Sequence, residues 1–162
     1  MLIIPVPAPV VEVAPPSAQL AFTGSSRFAV FADIASITTE PERSAHTVRM
    51  RSLQVSREDM LIGGVAYVGG WSWWRFDCAA WTADRLDFAS LRADGTEGPV
   101  TPVRSPPAVI APSQDASALA ATACGEAFPA VEATSARAAV WARRARAHAR
   151  PSWPFSSLGV KP

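Results

Sequence analysis

The stretch VAYVGGWSWWRFDCA, residues 65–79, constrains this chain more than any other. Trp71, Trp73, Trp74 and Trp81 fall within eleven residues, in an alternating aromatic pattern that suits a pleated, half-buried strand. After Gly69-Gly70, Trp74, Phe76 and Cys78 take one face, and Trp71, Trp73, Arg75 and Asp77 take the other. Trp74 with Phe76 is the simplest core assignment. Trp71 and Trp73 then lie on an outer face, covered by an arm or a partner, or exposed as a patch.

The neighbouring segments read as further strands. Residues 27–33, RFAVFAD, set Phe28, Val30 and Ala32 against Ala29, Phe31 and Asp33, and a turn follows over Glu40-Pro41-Glu42. Residues 46–55 alternate through Val48 and Met50, then change phase to Leu53 and Val55, which predicts a bulge near Arg51–Ser52. SREDMLIGG reads as a connection, with Gly63-Gly64 its flexible point. Residues 81–92 supply a strand through Leu86 and Phe88 that ends at the turn Asp94-Gly95. A Pro-rich stretch, 98–113, leads to a short helix capped by Ser113 or Asp115. Its stripe is Ala116, Leu119, Ala120 and Ala123, and Gly125 ends it. The fold class is mainly β (α+β): a small antiparallel barrel, or a curled sheet of about four or five strands, with one packed helix.

Composition changes at both ends. Residues 1–24 form a Pro-rich extended arm, residues 25–127 the β domain, and residues 128–162 an Ala/Arg-rich helix followed by an extended tail. The net charge of +1 is a cancellation. Residues 1–126 hold 9 Arg and 13 acids, whereas residues 127–162 hold 6 basic residues and 1 acid. Neither a uniformly basic nucleic-acid binder nor a strongly acidic protein fits that distribution. No run of 18 apolar residues marks a membrane-spanning helix. Pro5, Pro7 and Pro9 interrupt what would otherwise resemble a secretory leader.

The catalytic inventory is thin. His46 and His148 lie in different segments, neither beside a nucleophile, and His46 reads as a surface strand residue. Asp77, Asp84 and Asp87 lack the ligand spacing of a calcium loop, and neither Gly pair precedes the Lys-Ser/Thr of a phosphate loop. We therefore expect no enzyme, no cofactor and no metal. Cys78 and Cys124 do not make a zinc site; they read either as a bridge across a core or as two buried thiols in a reducing compartment. In the basic helix, Arg143, Arg146 and Arg150 share one side, and Val140 and Trp141 lie elsewhere. Trp153, Phe155 and Leu158 follow as apolar anchors between prolines.

Several of these motifs occur in a familiar order: Phe31-Ala-Asp33-Ile-Ala-Ser36-Ile37, Trp74-Arg-Phe76-Asp77-Cys78-Ala79, Leu86, Asp94-Gly95, Ile110-Ala-Pro112-Ser113, Leu119 and Ala123-Cys124. Residues 31–126 thereby resemble the surface-adhesin E-like domain of proteobacterial secreted and lipid-anchored proteins. The resemblance implies an SH3-like barrel with a C-terminal helix, a Cys78–Cys124 disulfide, no catalytic residues, and binding of host or matrix proteins.

The resulting expectation is a non-enzymatic structural or adhesin-like interaction protein. Both arms dock onto other subunits of an envelope complex or virion, through Trp71, Trp73, Trp141, Arg143, Arg146, Arg150, Trp153 and Phe155. A bridged cysteine pair implies a periplasmic or cell-surface location; free thiols imply a cytoplasmic or virion-associated one. The alternatives are a nucleic-acid accessory using Arg137, Arg143, Arg144, Arg146 and Arg150, and a small-molecule barrel with tryptophans at its mouth.

Overall fold

The computed structural model describes residues 17–148, the side chains of 146–148 excepted. The strands are β1 (Leu20–Ser25), β2 (Ala29–Thr39), β3 (Thr47–Ile62), β4 (Val65–Asp77), β5 (Thr82–Arg85), β6 (Asp87–Arg92), β7 (Thr101–Pro102), β8 (Ala108–Val109) and β9 (Val131–Ala133). Helix α1 (Asp115–Ala123) lies between β8 and β9, and α2 (Ala136–His148) follows β9. All pairings are antiparallel, in the order β7-β6-β4-β3-β2-β1-β9. That order is an open sheet, the second of the two forms expected. β5 and β6 share the outer edge of β4, and β8 adds to β5. Between them the chain steps at Leu86, whose N–H donates to the Trp73 carbonyl.

Two hydrophobic clusters occupy opposite faces of this sheet at different ends. In the first, Phe31, Leu53, Val55 and Trp71 lie beneath Ala136, Ala139 and Val140 of α2. In the second, Val30, Met50 and Phe76 lie beneath Leu119, Ala120 and Ala123 of α1. This diagonal arrangement explains the change of phase in β3. Met50 and Leu53 belong to opposite faces because the covering helix changes from α1 to α2, and the β3–β4 register runs unbroken from Thr47↔Asp77 to Val55↔Gly69. The bulge expected at Arg51–Ser52 is therefore not in β3; the partner strand β2 carries the irregularity, between Asp33 and Thr38.

Three other expectations change. The segment read as a connection, SREDMLIGG, is the far half of a long hairpin: β3 continues to Ile62, which pairs with Val65. Gly63 and Gly64 form its two-residue turn at φ 58° and 78°, a left-handed pair that glycine adopts without strain. The cap of α1 is Gln114, in extended backbone, rather than Ser113 or Asp115. At the other end of α1, Gly125 is left-handed, and Glu126 N–H donates to the Ala121 carbonyl, a Schellman closure. Finally, the boundary drawn at 24/25 falls inside β1, which pairs with β2 and with β9. The Ala/Arg-rich segment is likewise joined to the sheet, through β9 and α2.

Close approach explains the Gly69-Gly70 pair. A Cβ on Gly69 would lie 1.8 Å from the Gln54 carbonyl oxygen, and one on Gly70 would lie 2.3 Å from the Phe88 ring. The cysteines meet where β4 ends and α1 ends: Cys78 and Cys124 form a disulfide with their Cα atoms 5.7 Å apart. It fastens α1 over the second cluster.

Candidate functional site

Two regions of the sheet hold the side chains singled out from the sequence. The first is the part of β3–β4 that carries Trp71 and Trp73, on the face where α2 docks. Trp71 is 5% exposed, packed in the first cluster, and its indole N–H has no hydrogen-bond partner among the described residues. It is a core residue beneath α2, so of the alternatives expected for it the structure shows covering by the C-terminal segment and not an exposed patch. Trp73 is half-buried. The side chains over these rings are arginines of β3: the Arg51 guanidinium lies 3.8 Å from the Trp71 ring centroid, and that of Arg49 lies 4.5 Å from Trp73. Arg51 also pairs with Glu97 at 3.0 Å, and Arg75 with the largely buried Glu40 at 2.8 Å. The acids are thus matched to the cations locally.

The second region is built on α2. Ser135 caps the helix, its hydroxyl accepting the Ala138 N–H and its carbonyl the Ala139 N–H. The alanine face docks on the sheet, and two arginines follow it inward. Arg143 donates to the Ser25 hydroxyl at 2.9 Å, and Arg144 to Asp59 at 2.6 Å. Trp141 is 74% exposed. It borders a groove of about 470 Å³ between α2 and the sheet, whose apolar wall is Val68, Leu91 and Val140. Arg92 and Arg137 contribute cations to its lining, and Asp59 and Asp94 contribute acids. The Asp94 carboxyl is held below the usual carboxylate range by hydrogen bonds from the Thr96 hydroxyl and N–H.

The remaining candidates do not converge with these. His46 is exposed, and its carbonyl accepts the Cys78 N–H. Asp77 accepts the N–H groups of Ala79 and Ala80 at a turn, and Asp87 accepts that of Trp73, so both carboxylates serve the backbone. Among the described residues, no three His, Cys, Asp or Glu side chains gather where a metal could sit, and no helix is long and apolar enough to cross a membrane. Trp153, Phe155, Arg150 and the side chains of Arg146 and His148 lie outside the described residues, as does the arm up to residue 16. Sequence reasoning missed Arg49 and Arg51, although their alternation in β3 places both on the Trp71–Trp73 face once the two strands are paired. It also missed Arg85, discussed below.

No family model matches the chain, and no curated protein matches it. Among solved structures, crystal form II of Haemophilus influenzae protein E is similar, with a TM-score of 0.53 and 11% identity over 72% of this chain and 97% of that one. A second structure of Haemophilus influenzae protein E gives a TM-score of 0.49 at 12% identity, over 72% and 96% of the two chains. At this identity the likeness is one of fold.

Proposed function

We propose that the protein is a non-enzymatic, adhesin-like interaction module whose contact surface is the α2 groove at Trp141. The observation that carries this reading is Trp141 itself. An indole 74% exposed beside an apolar groove has the character of a protein-binding anchor: a large, rigid ring ringed by mixed charge. The fold likeness to protein E is compatible with that role, and the Cys78–Cys124 bridge suits an oxidising compartment. The same reading assigns the Pro-rich arm and the segment holding Trp153 and Phe155, both outside the described residues, to engaging further subunits of an envelope complex or virion.

Nucleic acid is the poorer partner for this helix. Arg143 and Arg144 are turned onto Ser25 and Asp59, which withdraws two of the five arginines of the basic segment from phosphate contact. The test is binding of the purified chain to a panel of immobilised extracellular-matrix glycoproteins, alongside a DNA and an RNA duplex, at low and high salt. Retention on a glycoprotein that depends on Trp141 supports the reading. Steeply salt-dependent retention on nucleic acid alone overturns it.

A further inference from the structure

A second groove lies on the face of the sheet that carries α1, beyond the end that α1 covers. Its volume is about 340 Å³, at the lower end of small-molecule sites, which run to roughly 300–1,000 Å³. Phe28, Met60 and Phe88 supply its apolar wall, and the backbone of Gly69 and Gly70 also lines it. A further hollow of about 210 Å³ shares Met60, Gly69 and Phe88 with the first and continues to Ile62 and Tyr67 on the long hairpin. Sharing three lining residues, the two open hollows lie side by side.

Among the described residues, Arg85 is the only charged one lining either hollow. Its Nε donates to the Ser72 hydroxyl at 2.9 Å, and its guanidinium lies 5.4 Å from the Phe88 ring centroid and 5.8 Å from that of Trp74. Among the described residues its two terminal nitrogens make no hydrogen bond. The opposing charge that acts on it, Asp87, accepts the Trp73 N–H through one carboxylate oxygen. Burial pushes the guanidinium below its ordinary pKa, with Asp87 acting in the opposite direction. A cation partly removed from water, with two terminal nitrogens that bond no described residue, is complementary to a carboxylate.

We propose that these two adjoining hollows together bind an apolar chain ending in a single carboxylate, as in a medium-chain fatty acid. The carboxylate meets the terminal nitrogens of Arg85, and the chain runs over Phe88 and Met60 towards Ile62. The site is separate from the Trp141 groove and does not depend on that reading.

The experiment is isothermal titration of the full chain with decanoate and with decanol, which share a chain and differ in the charged end. Decanoate should bind at least roughly tenfold more tightly, the scale of a charge-assisted hydrogen bond. Arg85→Gln should abolish that preference, and Met60→Trp, which fills the junction of the hollows, should weaken both ligands. Circular dichroism and the thermal midpoint report whether each variant is folded. If Arg85→Gln does not fold, the unmodified chain and Met60→Trp still decide the matter. Equal affinity for acid and alcohol, no binding of either, or a folded Arg85→Gln that keeps the preference would overturn the proposal.

Discussion

The Cys78–Cys124 bridge lends itself to a quantitative test of how the fold is held. The two residues are 46 apart in sequence, and closing a loop of that length restricts the unfolded chain by about 4 kcal/mol in the chain-entropy treatment. The contribution has a structural destination. The bridge ties the end of β4 to the C-cap of α1, a helix of 9 residues, too short to be stable alone in water. Without it, α1 is kept on the second cluster chiefly by the burial of Leu119, Ala120 and Ala123. Replacing both cysteines with Ala should therefore lower the unfolding free energy in urea by about 3–4 kcal/mol and the thermal midpoint by roughly 10 °C. Dithiothreitol should reproduce the loss in the unmodified chain. Hydrogen exchange should show the α1 amides losing more protection than those of β3. A loss below about 1 kcal/mol, or exchange that rises equally across the sheet, would refute the reasoning.

Other consequences follow from particular contacts. Gly69→Ala should destabilise by more than Gly70→Ala, because its Cβ meets the Gln54 backbone whereas that of Gly70 meets the Phe88 ring; both should reach or exceed the roughly 1–3 kcal/mol of overpacking, read from urea midpoints. The Arg144–Asp59 pair is partly exposed, so a double-mutant cycle should give under about 1 kcal/mol, shrinking as salt is added. Asp94 has a folded pKa below its unfolded value, so its contribution is present above the ordinary carboxylate range and is lost as pH falls through the folded pKa. The Thr96 amide resonance should accordingly titrate below pH about 3.9, and a midpoint at or above that would contradict the hydrogen bonds drawn to it.

How much of this was legible in the sequence depended on whether one element covered one face. Residues Ala116, Leu119, Ala120 and Ala123 form the predicted stripe because α1 meets the sheet along a single side. The turn at Asp94-Gly95 was legible for a local reason: Asp94 bonds its own loop, and Gly95 takes a φ of 89°. The β3–β4 pair was harder. Two helices on opposite faces bury both phases of the alternation, so Trp71 and Trp74 are packed in different clusters. A reading that allows one inward face must then misplace one of them. The hairpin tip, with Leu61 and Ile62 exposed, is beyond either helix and shows no inward phase, although its Gly-Gly turn was a usable signal. Docking of α2 was hidden because two alanines and a single valine make its contact, and Arg143 and Arg144 reach Ser25 and Asp59 from the same helix.

This docking also decides how the interaction surface should be probed. Deleting residues 128–162 would remove β9 and α2 together, uncovering Leu20, Phe31 and Leu53, and would confound folding with binding. Trp141→Ala avoids this, since a largely exposed ring contributes within about ±0.5 kcal/mol to stability. The most direct measurement is the affinity of the unmodified chain and of Trp141→Ala for the matrix glycoprotein that the unmodified chain binds best. The account predicts a loss of about 2 kcal/mol, roughly thirtyfold, with the thermal midpoint unchanged. Equal affinities, or no glycoprotein bound by the unmodified chain, would contradict it.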